Sequence, residues 1–240
     1  MRHLFFIAVS LLLLCTSCRE IFGKRVRGNG NVTTQSRSAG PFNSIDVSGS
    51  INVYARQDSS PAIKVEADDN LLQYIETVGD GDVLRIRTEQ GYNLSPSRQI
   101  KVYVSSPNFK KFEASGACDI FSDGKISSGS EIEIDLSGTC NTTLDVNSPR
   151  ISADVSGACT VGLKGQTKEF RIQGSGSTTL KCFDLMAENV DVDISGAGNA
   201  EVYASVKITG SISGAADVSY KGSAQTDIHT SGASSVKKVE

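Results

Sequence analysis

Apolar and polar residues alternate along most of this chain, and the alternation is broken at a regular interval. Ile45-Asp46-Val47, Phe112-Glu113-Ala114, Ile134-Asp135-Leu136, Ala153-Asp154-Val155 and Val192-Asp193-Ile194 all read apolar, polar, apolar. A period of two predicts strands with one buried face. Ser-Gly pairs recur at Ser48-Gly49, Ser115-Gly116, Ser137-Gly138, Ser156-Gly157, Ser175-Gly176, Ser195-Gly196, Ser213-Gly214 and Ser231-Gly232, and most of these strands run straight into one. From Ser115 onward the pairs are separated by 22, 19, 19, 20, 18 and 18 residues. A period near 20 is the mark of a solenoid.

A second alternation begins after each pair. Its polar position is filled by Asn52, Asp119, Asn141, Thr160, Thr179, Asn199, Asp217 and Ser235. The next position holds Val53, Ile120, Thr142, Val161, Leu180, Ala200, Val218 and Val236, mostly apolar. The chain therefore bends at the Ser-Gly step, where glycine can take a positive φ and serine can hydrogen-bond the nearby backbone. Further apolar residues, such as Leu163, Val202 and Tyr203, mark a third segment. Twenty residues at ~3.3 Å each make one coil of about three short strands, with the next coil about 4.8 Å away. The pattern predicts an all-β, right-handed parallel β-helix with coils of roughly 18–22 residues turning at Ser-Gly corners.

Residues 41–240 form this domain, with a less regular part over 41–112 and regular coils over 113–240. In the first part, "VGDGDV" predicts a hairpin turn using Gly79 and Gly81. "DDNLLQYIETV" predicts a short helical turn capped by Asp69 or Asn70. The charged end "SSVKKVE" suits a guard on an exposed edge.

The start of the chain reads differently. "MRHLFFIAVSLLLLCTSC" has a basic residue, Arg2, then an apolar run over Leu4–Leu14, too short to span a bilayer as a helix. Residues 1–17 fit a signal peptide. The small residues Thr16 and Ser17 before Cys18 resemble a bacterial lipobox, with Cys15 where leucine is usual. The resemblance implies cleavage before Cys18, lipidation of that cysteine and a membrane partner reached through the lipid. Acyl chains at about 0.8 kcal/mol per buried CH₂ make such an anchor strong. Residues 18–40, polar and glycine-rich, read as a lipidated Cys18 followed by a flexible tether.

Composition narrows the chemistry. A net charge of −3 over 240 residues does not point to nucleic acid. Cys118, Cys140 and Cys159 share one inward column as small hydrophobes, and neither paired CxxC nor histidine accompanies them to hold a metal. A disulfide between neighbouring coils is the alternative. The outward column Asp46, Glu113, Asp135, Asp154 and Asp193 supplies carboxylates. They form an even ladder with no unique pair, no recurring basic position opposes them, and tryptophan is absent, so no catalytic residue is expected. Gln173 and the Gly210-Ser211 step interrupt the ladder, which argues against a row of calcium ions. No metal or other cofactor is assigned.

The opening "FNSIDVSGSINVYARQ", the segments "VEADDNLLQYIET" and "IKVYVSSPNFKKFEASGACDI", and the serial SGA corners resemble the auto-transporter adhesin head domain, or GIN domain, over about residues 41–238. "SGSGSTTL" departs from the corner pattern at Ser175. The resemblance implies an exported, β-helical protein of a kind common in Bacteroidetes, and it brings no catalytic residues. Taken with the signal sequence, it implies an outer-membrane lipoprotein, on the periplasmic or the cell-surface side. The expected function is a non-catalytic binding or adhesion module for a glycan, an envelope component or a protein, its ligand residues unassigned. A β-helical carbohydrate-active enzyme and a structural envelope spacer are the alternatives. Oligomeric state is not legible.

Overall fold

The computed structural model describes residues 23–38 and 40–240. The signal peptide expected over 1–17 and the lipidation expected at Cys18 fall outside the described residues. The rest is 73% strand with essentially no helix, wound as a β-solenoid of about seven turns.

Register decides the architecture. Val53 pairs with Ile120, and that column continues through Thr142, Val161, Leu180, Ala200 and Val218 to Val236. The strand before the corner keeps the same order. Ile45, Phe112, Ile134, Ala153, Ile172 and Val192 stack as one inward column, all buried. Each inward Val, Ile, Leu or Phe contributes about 1.5–3 kcal/mol by leaving water. The core is therefore a set of parallel columns along the axis, and each coil is stabilised by its neighbours.

The Ser-Gly pairs end their strands as the repeat predicts. Gly49, Gly116, Gly138, Gly157, Gly176, Gly196, Gly214 and Gly232 all have φ between 81° and 119°. They also stack closely: a Cβ on Gly116 would lie 2.7 Å from the Gly49 carbonyl oxygen, and one on Gly176 2.8 Å from that of Gly157. From Gly116 onward the residue after each corner glycine donates its N–H to the glycine carbonyl one coil back, as Ala158 does to Gly138 at 2.8 Å. Two constraints, a left-handed backbone and a carbonyl where a side chain would go, keep the column glycine.

Cys118, Cys140, Cys159 and Cys182 are buried free thiols, not disulfides. Burial pushes the Cys118 thiol up to about 11 and Cys182 up to about 12. All four are packing residues, and Cys118 and Cys182 carry little thiolate character.

The N-terminal part caps the solenoid with antiparallel strands. Ile75–Asp80 and Val83–Thr88 form the expected hairpin. Gly81 has φ 59° there, whereas Gly79 sits in the strand without a positive φ. The helical turn is a 3₁₀ segment, Leu72–Tyr74, with Leu71 at its N-cap and no side-chain cap. Asp69 and Asn70 do other work: they accept hydrogen bonds from Asn29 and Asn31, at 2.5–3.1 Å. The tether expected over 18–40 is corrected for two stretches. Lys24–Arg27 pairs in parallel with Tyr92–Ser95, and Val32–Arg37 pairs antiparallel with Ala62–Asp68. This arm shows almost no apolar face, so alternation could not reveal it. Polar groups hold it instead. The fully buried Asp68 carboxylate accepts from the Gly30 N–H (2.7 Å), the Ser97 N–H (2.8 Å) and the Ser97 hydroxyl (2.6 Å).

Candidate functional site

The acidic ladder comes together as a physical column on the outer face of the strands that lead into the corners. Its order is Asp46, Glu113, Asp135, Asp154, Gln173, Asp193, Ser211, His229. Beside it runs the serine column of the corners, from Ser48 to Ser231. Between Glu113 and Ser213 the two columns line a shallow, open groove of about 590 Å³. The parallel ladder fixes the repeat of hydrogen-bonding groups along the groove at about 4.8 Å.

The carboxylates are not left to repel one another. Lys111 reaches two rungs, with Nζ 2.6 Å from Asp135 and 3.3 Å from Glu113. Those hydrogen bonds raise its pKa against the opposing effect of burial. Arg85 closes the lower end, 3.7 Å from Asp46. Gln173, its amide oriented to suit its neighbours, donates to Asp154 at 2.8 Å and accepts from Arg171 at 2.9 Å. The Ser211 N–H donates to Asp193 at 3.1 Å. The sequence offered no basic position opposite the ladder, but coil stacking supplies one. Lys111 and Arg171 stand in the adjacent outward column, three coils apart, with Glu133 and Ser152 between them. Only register reveals the Lys111–Asp135 pair, because its two members lie in successive coils. Burial and then the neighbouring carboxylate push Asp46 and Asp154 above the usual range, Glu113 acting on Asp46 and Asp135 on Asp154.

Chemically, the face offers carboxylates, hydroxyls and an amide, repeated in register and open to solvent. All the carboxylates sit on one wall. Glycoside hydrolysis needs two that flank the scissile bond. Among the described residues no group of three or more His, Cys, Asp or Glu is disposed to hold a metal ion, and none of their helices is long and apolar enough to cross a membrane.

A second outward feature escaped the sequence reading. Tyr103, Tyr54 and Phe121 stack one above another, with ring centroids 5.1 and 5.2 Å apart. Tyr54 and Phe121 each lie two residues beyond the polar positions Asn52 and Asp119, so the repeat columns contained the signal. Rings stacked along the axis spend their faces on each other and turn edges outward. The stack stiffens the first coils and offers no open platform for a sugar ring.

A solenoid of in-register coils, with a polar repetitive face and antiparallel strands at its N-terminal end, defines the class. The chain belongs to the family described as "Putative auto-transporter adhesin, head GIN domain", whose model matches residues 41–224. It is similar in fold to solved structures from Bacteroides and Parabacteroides. A putative adhesin from Bacteroides fragilis matches with a TM-score of 0.84 at 18% identity, covering 89% of this chain and 100% of that one. A putative adhesin from Parabacteroides merdae matches with a TM-score of 0.65 at 21% identity, covering 90% and 100%. A putative lipid binding protein from Parabacteroides distasonis matches with a TM-score of 0.70 at 22% identity, again over 90% and 100%. No curated protein matches the chain significantly.

Proposed function

We propose that this chain is a non-catalytic, envelope-associated adhesion module that binds an extended hydroxyl-rich polymer, a glycan or an envelope polysaccharide, along the groove of the acid and serine columns. One observation carries the reading: hydrogen-bonding side chains from six consecutive coils, Glu113 to Ser211, line one open groove in register. A repeating surface recognises a repeating ligand, since each coil adds the same contact. The family's adhesin description agrees with a binding role. The single-walled arrangement of the carboxylates favours binding over hydrolysis. Anchoring through a lipidated Cys18 would place this face at the envelope.

The test is a glycan and peptidoglycan array with the purified chain, followed by titration of any hit. Binding that falls about tenfold or more in Asp135→Ala and Asp154→Ala, with the fold intact by circular dichroism, supports the reading. Release of sugar products from a bound polymer would make the chain an enzyme. Binding unchanged in both variants would move the site elsewhere. No binding at all would favour a structural spacer.

A further inference from the structure

The two ends of the solenoid are built differently. The N-terminal end is closed by antiparallel strands and a 3₁₀ turn. At the other end, among the described residues, strand Gln225–Gly232 pairs only with Asn199–Gly214, and strand Ser235–Lys238 only with Asp217–Lys221, so each leaves one edge open. Such an edge is a template for another strand unless something blunts it. Ser235–Lys238 carries Lys237 and Lys238, which oppose self-pairing. Gln225–Gly232 carries no comparable guard.

We propose that this edge pairs with the same strand of a second copy, antiparallel about Ile228, to give a tail-to-tail dimer. The segment Thr226-Asp227-Ile228-His229-Thr230 is its own complement. Set antiparallel about Ile228, it faces Thr226 with Thr230, Asp227 with His229 and Ile228 with Ile228. Shifting the centre to Asp227 sets carboxylate against carboxylate, and shifting it to His229 sets imidazole against imidazole. Asp227 and His229 lie in outward columns, and the other three continue the inward columns of Ile208, Gly210 and Ile212. Ile228 packs against the core while remaining partly exposed.

The backbone agrees. Ala233 donates to Gly214 of the preceding coil. Alternation along a parallel strand then turns the amides of Thr226, Ile228 and Thr230 to the open side, so that the Thr226/Thr230 and Ile228/Ile228 pairs exchange both N–H···O bonds and Asp227/His229 is the non-hydrogen-bonded pair between them. A two-fold axis through Ile228 keeps the inward faces of both copies inward, so the two cores abut. Such a C2 contact closes on itself and does not grow into a fibre.

Such a dimer puts the N-terminal ends at opposite extremes. If the lipid anchor at Cys18 holds, which is a separate matter, two anchored copies would meet head-on across a gap. The pairing itself rests on the strand alone and is independent of the glycan-binding face.

The test is sedimentation equilibrium of the purified chain and three variants. The native chain is expected to show a concentration-dependent monomer–dimer equilibrium. Asp227→Lys, which sets Lys against His229, should weaken it roughly tenfold or more. The double swap Asp227→His with His229→Asp restores complementarity and should return the native affinity. Ile228→Lys, at the centre of the pair, should leave only monomer. All three sites are on the last coil, and circular dichroism confirms that the solenoid is retained. A native chain that stays monomeric at every concentration would overturn the proposal. So would a dimer that Asp227→Lys leaves unchanged, or a swap that fails to rescue.

Discussion

Replacing one corner glycine separates the two constraints that the coil geometry places on it. At Gly157, with φ 90°, an added Cβ runs into the Gly138 carbonyl. A left-handed backbone costs an L-residue about 1–2 kcal/mol. Moving that carbonyl also weakens the Ala158 to Gly138 hydrogen bond, worth about 0.5–1.5 kcal/mol. Against this, alanine restricts the unfolded chain, which returns about 0.4–1 kcal/mol. Gly157→Ala should therefore lose about 2 kcal/mol. Two other glycines serve as controls. Gly124 has φ 94° and open space around its Cβ direction, so Gly124→Ala carries the backbone strain alone and should lose about 1 kcal/mol. Gly129 has neither constraint, so Gly129→Ala should fall within about 0.5 kcal/mol of native. Urea unfolding followed by far-UV circular dichroism reads all three. Equal midpoints for Gly157→Ala and Gly129→Ala would refute the corner argument, because the stacked carbonyl would then be carrying no cost.

Other expectations concern single groups. Asp68→Ala removes the buried carboxylate that accepts three hydrogen bonds and should cost about 1.5–3 kcal/mol, read as a lower melting temperature with faster hydrogen exchange over 23–37. Burial pushes the Asp68 pKa up, but the bonds from Ser97 and Gly30 outweigh it and leave it lowered. Its stabilising contribution is therefore full above the unfolded value near ~3.9 and lost only as pH falls below that, so the arm should stay docked through mild acid and exchange freely only in strong acid. Cys118, Cys140, Cys159 and Cys182 should resist a thiol reagent at pH 8 in the folded chain and react after denaturation; labelling of folded protein at any of them would contradict the inward column. Asp154→Asn removes a charge that burial and Asp135 already disfavour, so at neutral pH it should leave the melting temperature unchanged or slightly higher while weakening ligand binding.

How much of this was legible beforehand depended on whether a feature repeats. The corner glycines and the Val53 to Val236 column recur every coil, and Cys118, Cys140 and Cys159 share one position over three consecutive coils, so alternation and spacing exposed them. Lys111 does not recur. Its carboxylate partner Asp135 lies in the next coil, and only stacking brings the two to 2.6 Å. The N-terminal arm was hidden for a different reason. Val26 and Val32 are its only branched apolar residues, and its position is set by Asp68 and Asn70 some forty residues away. Polar anchoring of that kind leaves no period in the sequence. The aromatic stack of Tyr103, Tyr54 and Phe121 sat in columns already drawn, but too few coils carry it to stand out as a repeat.

The stacking of coils can be measured as a distance series. Nitroxide labels placed pairwise on the outward serines Ser115, Ser195 and Ser231, read by pulsed electron resonance, sample one column at known numbers of coils. With about 4.8 Å per coil, Ser115 to Ser195 spans four steps or ~19 Å, and Ser115 to Ser231 six steps or ~29 Å. Distances that rise by the coil count in this way are the expected result. Distances that ignore the coil count, or that bring Ser231 as near to Ser115 as Ser195 is, would contradict a single solenoid wound in register at its Ser-Gly corners.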